Sequence, residues 1–402
     1  MPASLATVSA ITKEIYEGDI GKQLNSDVVT LKRIERTSDG VTNDVGGKYV
    51  TFPIHTRRNA GLGSRNELEA LPLPGQQGTA AGRIGLKYDY GSVRLSGQAI
   101  SLAKTNAQAF ISALELELEG LKDDLRKDTN RKVYGDGTGM VARATAAQAG
   151  VSTFTAAHVL WLQLGMMVDL VDGSTLLNPS PTIKASNRQV TNIDTDAKTV
   201  TLNGAVVTTA VGDILVRTGN VNREITGFGS IIKNTGALYN IDPAVEPVWK
   251  AVVDSNGGTN RALSEGLMIS MADKIRTNGG KTTVIFQSLG VRRAYFNLLV
   301  QQRRFTNERE FTGGFTGLAF TTDTGDIPVV ADVDTPPNTQ YFINEKDLKV
   351  YQESDWHFMD LDGSKWQRVI GFDSYEATMV KYWELGSKRR NTHGVIQDIT
   401  EG

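Results

Sequence analysis

A long connection between two strand-like segments is the feature that most constrains how this chain can fold. Residues 57–82, RRNAGLGSRNELEALPLPGQQGTAAG, contain five glycines and two prolines. The flanking segments 48–56 and 83–97 are rich in β-branched and aromatic residues, which favour strands. We therefore predict a long hairpin with these two stems and residues 57–82 as its tip. A connection of this length is usually functional or disordered, so a disordered surface loop is the alternative interpretation.

The clearest single element is an amphipathic helix at residues 105–134. Its apolar side chains recur at steps of four, four, three and four, which places on one face Phe110, Leu114, Leu118, Leu121 and Leu125. We predict that these five residues form its core face, and that GDGTG at 135–139 ends it. At about 1.5 Å per residue the helix is roughly 40 Å long, so it must lie along a sheet or another helix.

After residue 150 the chain changes character twice. Residues 151–250 contain short β-rich runs separated by Asp-Gly and Asn-Gly turn signals, which predict a small antiparallel β unit. Residues 258–345 then alternate between helix and strand patterns. In them, Ser288 is placed to cap a helix that begins at Leu289.

Composition limits the classes of protein that this chain can belong to. It has 402 residues, 40% of them hydrophobic, a formal net charge of −2 and no cysteine. The length suggests two or three domains. The lack of cysteine excludes disulfides and thiolate metal sites and fits assembly in a reducing cytosol. Bulk positive charge for nucleic-acid binding is not indicated, although a locally basic face remains open.

No catalytic constellation stands out in the sequence. The four histidines, His55, His158, His357 and His393, are far apart, and we expect them to be structural or surface residues. GDGTG follows a helix instead of joining a strand to a helix, which argues against a phosphate loop. We predict no enzyme activity, no cofactor and no metal. The basic pairs are expected to be solvated surface, with intersubunit salt bridges as the alternative, at Arg57–Arg58, Arg292–Arg293, Arg303–Arg304 and Arg389–Arg390.

The order of these elements, and above all the closing stretch, resembles tailed-bacteriophage major capsid proteins of the Hong Kong 97 fold. The shared features are a proline turn, a Tyr-Phe-φ-Asn strand, an aromatic stretch, a DG turn and a D-x-Y-E-A strand. They correspond here to Pro336 and Pro337, Tyr341 to Asn344, Trp356, Asp362 and Gly363, and Asp373 to Ala377. No single motif is diagnostic, but the ordered set spans essentially the whole chain.

The resemblance implies an α+β fold with named parts. These are an N-terminal arm (1–45), an extended β-hairpin loop (46–97), a peripheral domain with a long spine helix (98–150), a β-rich insertion (151–250), an axial domain (251–345) and closing strands of the axial and peripheral domains (346–402). In the family the extended loop lies over a neighbouring subunit. The expected intersubunit contacts are therefore Arg57, Arg58, Arg65, Glu67, Glu69, Leu71 and Arg83.

The implied function is self-assembly into hexamers and pentamers of an icosahedral virion shell around double-stranded DNA. Assembly is expected in the bacterial host cytoplasm, away from membranes. The implied partners are a portal protein, a separate scaffolding protein, a decoration protein and DNA bound without sequence preference. The hairpin begins so early that we expect no cleaved scaffolding segment in this chain. Residues 57–82 lack lysine, so we expect no cross-link at the tip, whereas Lys48 and Lys87 on the stems stay open.

Three other functions are compatible with parts of this pattern. An encapsulin-like bacterial compartment protein shares the fold and is the runner-up. An enzyme would need a constellation of acids, histidine or nucleophile that the sequence does not show. A surface adhesin could be built around residues 151–250, but no repeat or signal peptide supports it. The β unit itself is open between three roles, which are binding a decoration protein, bracing its own subunit and lying at a local threefold contact.

Overall fold

The computed structural model describes residues 28–38, 49–98, 107–303, 318–322, 325–360 and 364–402. Side chains are described outside 107–116 and 300–303. Within these ranges the helices are α1 Thr30–Arg33, α2 Ala107–Tyr134, α3 Phe228–Ile231, α4 Glu265–Thr277 and α5 Leu289–Arg303. The strands are, in chain order, β1 Glu35–Thr37, β2 Tyr49–Arg57, β3 Gly78–Gly85, β4 Lys87–Ser96, β5 Met140–Arg143, β6 Gln148–Val151, β7 Thr153–Thr155, β8 Met167–Val171, β9 Ile183–Asp194, β10 Thr199–Leu202, β11 Val207–Thr209, β12 Ile214–Arg217, β13 Val252–Asp254, β14 Val284–Gln287, β15 Ala319–Thr322, β16 Gly325–Ala331, β17 Gln340–Ile343, β18 Leu348–Gln352, β19 His357–Phe358, β20 Gln367–Arg368, β21 Ser374–Ser387 and β22 Gly394–Ile396.

A sheet built around the long strand β21 carries the helix α2. We call it the peripheral sheet; it contains β1, β4, β18, β19, β20 and β21. The predicted helix is confirmed from Ala107 to Tyr134, and it lies along β4, as its length required. Gly91 of β4 allows this close packing, because a Cβ atom there would lie 2.7 Å from Cδ2 of Leu125. The absence of a side chain at Gly91 thus allows the helix to lie close to the sheet.

The predicted hairpin is present, but its second stem is shorter than expected. β2 pairs antiparallel with β3, whereas β4 pairs with β21 over ten residues from Lys87 to Ser96. The segment 83–97 therefore divides at Leu86, and residues 87–96 belong to the peripheral sheet instead of the extended loop. Local strand propensity does not specify a partner strand, and here the partner lies almost 300 residues away in the chain.

The β unit is antiparallel throughout, as predicted, but it begins earlier than residue 151. Its main sheet has the order β5-β12-β8-β9-β10-β7, and β6 and β11 form a second, small sheet. Met140–Arg143 joins this unit because β5 pairs with β12. The core between its strands is fully buried at Val168, Leu170, Val200 and Leu215.

The third large sheet, which we call the axial sheet, has the order β13-β22-β17-β14-β16-β15. α4 buries Met268, Met271 and Ile275, in a cluster that includes residues of this sheet. The predicted cap is confirmed, since Ser288 Oγ accepts a hydrogen bond from the Val291 amide at 3.2 Å. The closing stretch contributes a strand to each sheet. β21 lies in the peripheral sheet, and β22 lies in the axial sheet between β13 and β17.

Several predicted features lie outside the described residues. They are the arm at 1–27 and 39–45, Lys48, the side chains of Phe110 and Leu114, Arg304, and the Asp362-Gly363 turn. Among the described helices, none is long and apolar enough to cross a membrane.

Candidate assembly interface

The base of the hairpin is anchored to its own subunit by aromatic packing. Side chains alternate along β2, so that Phe52 is buried while Thr51 and Pro53 face solvent. The Phe52 ring lies 6.2 Å from the rings of both Tyr239 and Trp249. Gly82, opposite Phe52 in the register, leaves room for that ring. The stem is therefore fixed in direction before the tip begins.

Beyond the stem, residues 58–77 contain no strand, yet they have a defined shape. The two sides of the tip approach each other at Gly61 and Gly75, where a Cβ on Gly61 would lie 2.8 Å from the Gly75 nitrogen. At the far end, the Asn66 amide and side chain both donate to the Glu69 carboxylate at 3.0 Å. These hydrogen bonds lower the pKa of Glu69. The tip is therefore a narrow, closed projection, which disfavours the interpretation of a disordered loop.

The tip exposes the largest apolar side chains of the loop. Exposed fractions are 85% for Leu62, 101% for Leu68, 82% for Leu71 and 86% for Leu73. Monomeric proteins rarely expose a contiguous apolar patch without using it. Covering a leucine contributes about 1.5–3 kcal/mol. A projection with four exposed leucines is thus suited to docking on another surface.

The predicted contact residues fall into three groups within this chain. Arg65 donates to the Ala70 carbonyl at 2.9 Å and, like Glu69, shapes the tip. Arg57 forms a loose pair with Glu246 at 3.5 Å, and the Arg83 amide, not its side chain, bonds to Tyr239. The remaining residues are exposed, and their side chains make no hydrogen bond or ion pair to the described part of this chain: Arg58, Glu67 and Leu71. That all seven contact a neighbour stays a prediction.

The predicted core face of α2 is only half-buried. Leu118, Leu121 and Leu125 are all of intermediate exposure. Full burial begins one turn later, at Thr129 and Asn130, and continues to Val133, which is inaccessible, and Tyr134, which is 2% exposed. The leucine stripe therefore leaves part of its surface uncovered.

The end of α2 contains a buried charge network that the sequence analysis did not anticipate. Lys132 Nζ lies 2.8 Å from Asp89 and 2.9 Å from Asp128, and Arg131 lies 2.7 Å from Glu224. Burial alone would raise the pKa of Asp128, but the neighbouring Lys132 and Arg131 charges outweigh it and hold the pKa well below its usual value. The sequence did contain a signal for part of this network, because Asp128 lies three and four residues before Arg131 and Lys132 on the same helix face.

The described part of the N-terminal arm, at Thr30 and Leu31, is joined to α2 and to the segment after β16 by a second polar cluster. The Thr30 amide donates to Asp332 at 3.1 Å, and Leu31 donates to the Asn130 side chain at 3.2 Å. Asn130 in turn donates to Asp332 at 3.0 Å and to Asp334 at 2.7 Å. Three segments distant in sequence are thus joined around one asparagine.

In the Arg389–Arg390 pair, one arginine is buried, contrary to the expectation of solvated surface. Arg390 is 1% exposed, and its guanidinium donates to the carbonyls of Ile231, Gly236, Ser230 and Thr235 at 2.8–3.2 Å. Burial lowers its pKa to about 10. Arg389 beside it is exposed at the surface, as predicted for the pair. A sequence pattern of two adjacent arginines cannot separate these roles.

Two of the histidines are structural. His393 is fully buried, with Nδ1 accepting from the Asn344 amide and Nε2 3.0 Å from Ser387 Oγ. Burial lowers its pKa to about 3. His158 lies edge-on against Trp161, and burial lowers its pKa to about 4. His55 and His357 are exposed. Within the described residues, no group of three or more His, Asp or Glu residues could hold a metal ion.

Comparison with known proteins identifies the family. The profile of the family described as SU10 major capsid protein matches residues 180–400, which is more than half of the chain. The chain belongs to the SU10 major capsid protein family. It is accordingly a major capsid protein of a tailed-phage shell, located in the virion, and the match to this structural family favours the capsid function over the encapsulin-like alternative.

Solved structures show the same fold for this SU10-family capsid protein. The capsid protein of cyanophage A-1(L) is 15% identical, with a TM-score of 0.59 over 97% of this chain and 98% of that chain. The capsid of a native GTA particle is 10% identical, with a TM-score of 0.52 over the full length of both chains. The predicted α+β Hong Kong 97-type fold is thereby confirmed. No curated protein matches this sequence.

Proposed function

We propose that this SU10-family protein closes its shell by seating the hairpin tip of each subunit on a neighbouring subunit. The supporting observation is the tip itself, which is closed by its own hydrogen bonds yet exposes Leu62, Leu68, Leu71 and Leu73. The stem is fixed to its own subunit through Phe52, so the tip must find its apolar cover elsewhere. Many such contacts, summed over a closed symmetric assembly, stabilise the shell.

In this proposal the subunits form hexamers and pentamers of an icosahedral shell that encloses double-stranded DNA. A portal protein, a separate scaffolding protein and a decoration protein complete the particle, and assembly takes place in the host cytoplasm. The β unit at 151–250 either braces its own subunit or receives the decoration protein.

The structure suggests a clean deletion for testing the tip. Because the backbones of Gly61 and Gly75 are adjacent, residues 62–74 can be replaced by a two-residue Gly-Ser linker without disturbing the stem. Negative-stain electron microscopy of the purified protein should show closed shells for the wild type. The deletion should give only capsomers or monomers with an unchanged circular dichroism spectrum. Shells from both proteins would refute the role of the tip.

A further inference from the structure

An open cavity of about 550 Å³ lies where the N-terminal arm, α2 and the peripheral sheet meet. Five basic residues line it: Lys32, Arg36, Lys122, Arg126 and Lys381. Among the described lining residues, two are acidic, Asp123 and Asp355. The described lining of the cavity therefore carries an excess of three positive charges in a chain whose net charge is −2.

The floor of the cavity holds a buried ammonium group. The Lys381 side chain is 1% exposed, and its Nζ lies 3.0 Å from Asp355 Oδ1. The same carboxylate also pairs with Arg36 at 2.7 Å. One acid is thus shared by two bases, and it can neutralise only one of them.

The rim of the cavity has bases without an acid. Lys32, Lys122 and Arg126 are exposed and form no ion pair with any residue in the described part of the chain. Lys122 and Arg126 are four residues apart on α2, so their like charges share one helix face and repel each other. A bound anion would relieve this repulsion.

The wall of the cavity offers a further donor. Trp356 lines it, and its indole Nε1 is buried without a hydrogen-bond acceptor among the described residues. A buried polar group without a partner calls for an explanation, such as a bound ion. The charge of the lining is thus the main argument for an anionic ligand, and the unpaired indole of a lining residue is compatible with it.

We propose that this basic cavity binds a phosphate group. Guanidinium and ammonium donors match phosphate oxygens, and the excess of three charges suits phosphate better than a single carboxylate. The phosphate can belong to the packaged DNA or to a free inorganic ion. The DNA source rests on the proposed function, whereas the free ion does not. A site that contacts a single phosphate contributes little to DNA affinity and to its salt dependence. Such weak binding is compatible with packaging and release of the DNA.

The test compares two double variants with the wild-type protein. Lys122→Ala with Arg126→Ala removes the rim charges, and Arg143→Ala with Lys250→Ala removes two exposed bases elsewhere. Binding of a 30-base-pair duplex is measured by fluorescence anisotropy at several salt concentrations. Protection by inorganic phosphate is measured as a shift in melting temperature at constant ionic strength. Lys32→Ala repeats the test from the arm, so that misfolding of a helix variant cannot decide the result.

We expect the rim variant to lose about one unit of the logarithmic salt slope and about fivefold to tenfold in duplex affinity at low salt. Loss of both duplex binding and phosphate protection assigns the site to DNA, and loss of phosphate protection alone assigns it to the free ion. Equal losses in the control variant, or no loss in the rim and Lys32 variants, overturn the proposal. So does a change in shell assembly without any change in phosphate binding, because the occupant would then be an acidic segment of a second copy.

Discussion

A buried glutamate on the central strand of the peripheral sheet makes stability depend on pH. Glu384 is 2% exposed, and it accepts hydrogen bonds from the amides of Thr226 at 2.6 Å and Leu385 at 3.1 Å. Burial raises its pKa to about 8, although these hydrogen bonds oppose the rise. Since the folded protein holds this proton more tightly than the unfolded chain, the contribution is present at low pH and is lost as pH rises through about 8.

Glu384→Gln should therefore stabilise the protein at alkaline pH. We expect the free energy of unfolding at pH 8.5 to rise by on the order of 3–4 kcal/mol, because the amide keeps both acceptor bonds without a buried charge. Near pH 5 the difference should vanish. Urea unfolding across this range measures it, with the exposed Glu117→Gln as control. A difference that does not change with pH would contradict the assignment.

Gly82 is required by the ring that it faces. A Cβ at this position would lie within 2.8 Å of Phe52 ring carbons, and the ring is held between Tyr239 and Trp249. We expect Gly82→Ala to lower the free energy of unfolding by about 1–3 kcal/mol through overpacking. The smaller ring-free side chain of Phe52→Leu should rescue it, as measured by thermal melts. Gly266→Ala, where the new methyl group meets nothing within 4 Å, is the control.

At the scale of elements, the last turn of α2 connects three parts of the fold. Lys132 reaches β4 through Asp89, and Trp383 of β21 donates to the same carboxylate at 2.7 Å. Arg131 reaches the β unit through Glu224. Breaking a buried pair is expensive because it leaves a charge without compensation, although building the pair yields little net stability.

Lys132→Met should accordingly destabilise the subunit by about 3–5 kcal/mol, since Asp89 then loses its buried counter-ion. Arg94→Ala breaks the more exposed pair with Glu376, at 2.7 Å, and should cost at most about 1 kcal/mol. Chemical denaturation of the unassembled protein compares the two. Equal losses in the free energy of unfolding would show that the buried pair stabilises the subunit no more than the exposed pair.

At the scale of the whole molecule, the proposed docking of the hairpin tip on a neighbour predicts that changes at the tip affect assembly and not folding. Leu68→Ser with Leu71→Ser removes apolar surface that no described residue of its own chain covers, so the melting temperature of the unassembled subunit should not change. Shell yield should fall at least tenfold, because each lost leucine contact is worth about 1.5–3 kcal/mol and recurs at every subunit. Sedimentation and electron microscopy measure the yield. Leu177→Ser, with 93% of its side chain exposed in the β unit, is the matched control.

The sequence alone predicted the elements whose signals are local. The period of α2, the cap at Ser288, the turns of the β unit and the hairpin all depend on residues within a few positions of one another, and the structure contains each of them. The resemblance in the closing stretch also predicted the fold and the family. These features are readable because periodicity and turn chemistry act over short distances along the chain.

Only the tertiary structure decided which distant segments meet. Nothing near Lys87 indicates that β4 leaves the hairpin for β21, and nothing near Arg390 indicates that four carbonyls surround it. The same holds for Asp89 with Lys132 and for the basic cavity, which collects the arm, α2 and β21. Partner choice depends on contacts between residues tens to hundreds of positions apart, and propensity along the chain carries no information about them.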